Sequence, residues 1–168
     1  MRAKASTGKK STEGKLRYDY YRNTKNRIKE AFEKGFYLEV ITLCESIICD
    51  RMEARIAYLS SEEDRKFRPI GDNCKKLGYT YSDENDKIFE HNGKELKTNT
   101  EARNLYGEIY KWRNLRNNAL HEMAKFKEGD LDDWETKYMK TEIIAQKGKI
   151  LATKVGEQVK KLNIHPKK

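Results

Sequence analysis

The chain of 168 residues has only two prolines and three cysteines. So few prolines leave room for long uninterrupted helices, because an interior proline removes a backbone donor and clashes with the preceding turn. The cysteines, Cys44, Cys49 and Cys74, contain no CxxC pair and are odd in number. Neither a zinc knuckle nor a disulfide framework is indicated, and a reducing cytoplasm is the simplest expected home. No apolar run approaches the roughly 20 residues that a bilayer span requires, and the opening MRAKASTGKKSTEGK lacks the apolar core of a secretion signal. A soluble, non-secreted chain is expected.

What is abundant is charge. Charged residues make up 38% of the chain against 36% hydrophobic, and 36 Lys and Arg against 27 Asp and Glu leave a formal charge of +9. Such a balance favours heavily solvated helices around a thin core, and a polyanionic partner, without specifying any sequence. The length suits a single domain. We expect an all-α bundle of four to five helices running up and down, with an irregular insertion between the second and third long helices. The expected limits are a disordered basic tail over 1–14, one helical domain over 15–163, and a basic tail over 164–168.

The first helix is expected from Leu16 to Lys34, with Tyr20, Ile28, Ala31 and Phe32 in its pattern and Gly35 as a left-handed stop. The clearest core helix follows, its apolar positions from Tyr37 through Val40, Ile41, Cys44, Ile48 and Met52 to Leu59 recurring every three or four residues. Ser60 and Glu63 have capping-box spacing before Pro69 intervenes. Between Gly71 and Thr98 the signals are a short helix near Cys74 to Leu77 and turns at Gly78, Asp83 to Asp86 and Asn92-Gly93. The alternation around Ile88-Phe89 with the Asn92-Gly93 turn fits a small hairpin, and a long ordered loop fits the stretch equally. Thr98 and Glu101 open a third long helix by the same capping logic, and Asp130 or Asp132 caps a final one with a stripe from Trp134 to Leu162.

The third helix contains Arg116-Asn117-Asn118-Ala119-Leu120-His121. Arginine offers a permanently charged planar fork that matches phosphate oxygens, and histidine can give and take protons near neutrality. On an ideal helix Arg113, Asn117 and His121 form one polar column, whereas Arg116 lies about 140° around from His121. The two would not easily share one phosphate within a single chain, and that geometry predicts dimerisation.

The RNNALH stretch resembles the motif of the HEPN family: an arginine, an adjacent Asn, Asp or His, and a histidine after four to six residues. Its flanking helices, EIYKWRNLRNNALHEMAK and GFYLEVITLCESIICDRMEARI, are similar to the two core helices of that all-α fold. The resemblance implies an endoribonuclease needing no metal or other cofactor, working as a homodimer with two motifs facing across a basic cleft. It implies His121 as general acid or base, Arg116 stabilising charge on the phosphate, and Asn117 holding the histidine or the phosphate. Arg113 and Asn118 would contact RNA beside them. DNA, lacking the 2′-hydroxyl, would resist cleavage. Toxin-antitoxin pairs and antiphage defence are the implied settings, with RNA and an antitoxin or a larger defence complex as implied partners. Met123 departs from many toxin members, which carry a modifiable tyrosine two residues after the histidine; Tyr106, Tyr110 and Tyr138 lie nearby only in sequence.

Plainer roles are expected elsewhere. His91 and His165 read as turn and tail residues, and Trp112, Trp134 and the tyrosines as core before base-stacking platforms. Glu45, Asp50 and Arg51 are polar positions in the most apolar helix. They either reach the cleft or pair with one another at a packed edge, the second being the safer expectation. A non-catalytic helical module binding RNA, a nucleotide or a protein is the competing reading of the whole chain.

Overall fold

The computed structural model describes residues 7–60, 67–81, 86–88, 99–124 and 132–164. Among the described residues, four long helices and one short helix carry the fold: α1 (Thr7–Glu33), α2 (Tyr37–Ser60), α3 (Ile70–Lys76), α4 (Thr100–Ala124) and α5 (Trp134–Ile164). Two three-residue strands, β1 (Tyr79–Tyr81) and β2 (Asp86–Ile88), sit in the insertion after α3. They pair antiparallel, with Tyr79 opposite Ile88 and Tyr81 opposite Asp86. The architecture is an all-α bundle, and none of its helices is long and apolar enough to cross a membrane among the described residues.

Gly35 ends α1 as its sequence suggests. Its φ is +76°, and the amides of Phe36 and Gly35 donate to the carbonyls of Ala31 (2.7 Å) and Phe32 (3.1 Å). This is a Schellman closure, and the left-handed residue within it favours glycine. The chain therefore reverses at once, and α1 runs antiparallel to α2, joined by Arg27 donating to Glu39 at 2.6 and 2.9 Å.

The central pair is α2 with α5, which make the most extensive interface and run parallel. Tyr138 near the start of α5 donates to the carbonyl of Gly35, Gly148 lies against Cys44, and Arg55 donates to the carbonyl of Leu162 at 3.2 Å. The α4 helix returns antiparallel along α5. Trp112, fully buried, donates from its indole to the carbonyl of Ile144 at 2.8 Å, with Glu108 and Glu101 reaching Lys154 (3.5 Å) and Lys161 (3.6 Å). Directions alternate along the chain, yet the core is organised about a parallel pair.

Because α2 is enclosed by α1, α3 and α5, every residue from Met52 to Ile56 is buried, the charged Glu53 and Arg55 included. The buried Glu53 is satisfied by the amide of Arg68 at 2.8 Å, as a buried carboxylate must be. That bond also docks the chain entering α3. Gly78 (φ +87°) turns the chain out of α3, and the fully buried Tyr79 anchors the hairpin under α4, against Gly107.

Several local expectations are corrected. The first helix begins at Thr7, so residues 7–14, expected as tail, are helical. Extending an established helix adds one hydrogen bond per residue fixed, and needs no burial once nucleated. Tyr20 is 68% exposed, and Tyr21 faces α2 instead. Asn99 caps α4, its Oδ1 accepting from the amide of Ala102 at 3.0 Å; Thr98 lies outside the described residues. Asp133 caps α5 through the amide of Thr136 at 2.7 Å, taking the place expected for Asp130 or Asp132. Residues 82–85, Asn92-Gly93, His91 and His165 lie outside the described residues, as does part of the expected Ser60–Glu63 capping turn.

Candidate functional site

The RNNALH stretch occupies the last turns of α4, an unbroken helix from Thr100 to Ala124. Its register decides which side chains meet. Leu105, Ile109 and Trp112 form the buried stripe, and Arg116 follows Trp112 by four residues and Ile109 by seven, so it continues that stripe. A charge at a core position needs a partner. Glu45 of α2 supplies it: a guanidinium nitrogen of Arg116 is in direct contact with Oε1 of Glu45, with the two side chains 16% and 26% exposed. The Nε of Arg116 is buried and has no partner among the described residues.

Moving round the helix in steps of about 40°, Arg113, Asn117 and His121 pass from inside to outside. Arg113 is half-buried. Its guanidinium lies against Gly71, where a Cβ would stand 3.4 Å from it, and sits 5.4 Å from the centre of the Tyr110 ring. It also donates to Asn114 Oδ1 at 3.2 Å. Asn117 is half-buried, while Asn118 and His121 are exposed. Among the described residues nothing pairs with the His121 imidazole. The expected polar column is thus a graded one: Arg113 turns to α3, and His121 faces solvent.

Two buried thiols lie close enough to the arginines to feel their charge. Burial pushes Cys49 up to about 12, with Glu45 and Glu53 adding to that and Arg116 opposing it. Burial likewise raises Cys74 to about 12, Arg113 opposing. Neither is a nucleophile near neutrality. Asn73 is fully buried beside them; it donates to the carbonyl of Arg68 at 3.2 Å while its Oδ1 has no partner among the described residues.

The safer expectation for the polar residues of α2, pairing with one another, is corrected. Each pairs across helices: Glu45 with Arg116, Asp50 with Tyr21 and Arg17, and Arg51 over the Tyr21 ring at 3.9 Å from its centre. Glu45 is the site residue the sequence reading left unassigned; its signal was a carboxylate beside Cys44 in the most apolar helix. Tyr106 is buried, Tyr110 is half-buried and 6.3 Å from the Tyr79 ring, and Tyr138 is committed to Gly35. Trp112 is core as expected, whereas Trp134 is 62% exposed and stacks on Tyr138.

What the arrangement presents is an accessible imidazole, two amides beside it, and a guanidinium set inward and held by a carboxylate. The chain matches no protein-family model, no curated protein and no solved structure.

Proposed function

We propose that the chain is an endoribonuclease of HEPN type, acting in toxin-antitoxin or antiphage defence. The observation that carries this reading is the RNNALH stretch with its histidine open to solvent and its arginine charge held against Glu45. The reaction is attack by a ribose 2′-oxygen on its own phosphate. His121 takes the hydroxyl proton, the O2′–P bond forms, the P–O5′ bond breaks, and an imidazolium returns a proton to the departing 5′-oxygen. The products are a 2′,3′-cyclic phosphate and a 5′-hydroxyl. Arg116 stabilises the negative charge that builds on the phosphoryl oxygens, and Asn117 and Asn118 orient the strand. Arg116 and His121 point about 140° apart on one helix, so a second copy completes the pair and supplies the histidine that acts as acid.

The net charge of +9 supports an RNA partner through phosphate neutralisation. A non-catalytic binding module is the second reading. It is favoured by the position of Arg116 on the buried stripe of α4, where its pairing to Glu45 serves stability alone. The two readings separate on end-labelled RNA in excess EDTA, with wild type, His121→Ala and a DNA strand of the same sequence. The enzyme cuts RNA only as wild type and leaves cyclic phosphate ends. Folded protein that binds RNA without cutting it, or equal cutting by both proteins, would overturn the proposal.

A further inference from the structure

Asn114 takes no part in the chemistry proposed above, yet its side chain is held in one orientation beside the motif. It lies seven residues before His121, nearly two full turns, so the two stand on one line of α4 about 10 Å apart along the axis. Asn118 fills the turn between them, and all three are exposed. Next to this row Arg113 is held from two sides, by Gly71 of α3 and by the Tyr110 ring, whose centre is 5.4 Å from its guanidinium. From that seat its Nη1 donates to Asn114 Oδ1 at 3.2 Å. The amide oxygen of Asn114 is thereby engaged. Its amide nitrogen has no partner among the described residues and is the end left to a ligand.

We propose that Asn114 selects a base of the RNA near the cut, and that it selects keto bases over amino bases. The inference rests on the ribonuclease reading for the scissile phosphate at His121. A strand lying along the exposed row brings a neighbouring nucleotide to Asn114, and the bases of a single strand present their edges unpaired. An unconstrained asparagine reads either kind of base, because its amide turns over to donate or to accept. Here turning over would set the amide nitrogen against the Arg113 guanidinium, donor against donor, so the side chain offers donors alone. The O4 of uracil and the O6 of guanine accept from it, whereas the exocyclic amino groups of cytosine and adenine are themselves donors. Arg113 is then a positioning residue, which acts on the base only through Asn114.

The test maps the cut sites of wild type, Asn114→Ala and Arg113→Met on a mixed-sequence RNA in excess EDTA, with circular dichroism as the check of folding. Wild type is expected to cut beside uracil and guanine about three- to tenfold more often than beside cytosine and adenine, the range that one neutral hydrogen bond supplies. Asn114→Ala is expected to cut without that bias. Arg113→Met frees the amide to turn over, and is expected to lose the bias with Asn114 still in place. A bias kept by either variant, or a wild-type preference for cytosine or adenine, would overturn the proposal. Binding gives a readout that does not need cutting. In a His121→Ala background, fluorescein-labelled oligouridylate is expected to bind about threefold or more tightly than oligoadenylate of equal length, and Asn114→Ala to remove the difference. That result together with no cutting by wild type would remove the ribonuclease reading and keep the base contact. Equal affinity for the two oligonucleotides with Asn114 present would overturn the base contact, whatever wild type cuts.

Discussion

Arg116 on α4 and Glu45 on α2 form a partly buried ion pair at the end of the buried stripe that Leu105, Ile109 and Trp112 begin. Removing one member strands the other in a place where water reaches it poorly. Glu45→Ala is therefore expected to cost about 1–2 kcal/mol, less than a fully buried pair because both side chains keep some exposure. Replacing both, as Glu45→Met with Arg116→Met, is expected to recover most of that loss, since neither charge is left unpaired. Urea unfolding of Glu45→Met, Arg116→Met and the double variant gives the coupling. A coupling near zero would mean that the pair does not hold α4 to α2.

Two glycines of α5 should respond with opposite signs. A Cβ at Gly148 would meet Trp112 Cζ2 at 2.8 Å, Cε2 at 3.2 Å and Cys44 Cβ at 3.3 Å. The indole has no room to retreat, being fully buried and tied to Ile144, so Gly148→Ala is expected to destabilise by about 1–3 kcal/mol despite the better helix propensity of alanine. Gly156→Ala meets only Arg51 Nε, at an unstrained 4.0 Å, and is expected to stabilise by about 0.5–1 kcal/mol. Thermal melts of the two variants check both signs together.

The contrast between what the sequence revealed and what it hid follows the range of each interaction. The Schellman stop at Gly35 and the apolar repeat of α2 are local, and both were legible. The caps were misplaced by one residue or more because the spacing from Thr98 to Glu101 fits a capping box, whereas the next residue, Asn99, is the one whose side chain accepts from the Ala102 amide. The parallel pairing of α2 with α5 depends on contacts such as Gly148 with Cys44, more than a hundred residues apart in the chain, and no local pattern encodes it. At the candidate site the histidine could be placed on α4 by its motif. The inward turn of Arg116 needed the register of that helix together with a carboxylate 71 residues away.

The three thiols provide a probe of the core. Cys44, Cys49 and Cys74 are all buried and free, and burial raises each to about 12. At pH 8 the thiolate population is negligible and the sulfurs are inaccessible. A thiol reagent such as DTNB is expected to react with none of them in the native protein and with all three in denaturant. Prompt reaction of one thiol without denaturant would locate a place where the bundle opens locally.

Asp133 should make part of the stability depend on pH. The amide and hydroxyl of Thr136 bond its carboxylate and hold it below the ordinary value of 3.8. A folded-state pKa below the unfolded one means that the charged cap adds stability in full above 3.8, and that this is lost as the pH falls through the folded value. Asparagine keeps a cap oxygen but removes the titrating charge, which also interacts favourably with the N-terminus of α5. Asp133→Asn is therefore expected to melt below wild type at neutral pH, with the gap closing in acid below the ordinary carboxylate value. A gap that stays constant from pH 7 to about 3 would assign the effect of Asp133 to shape rather than charge.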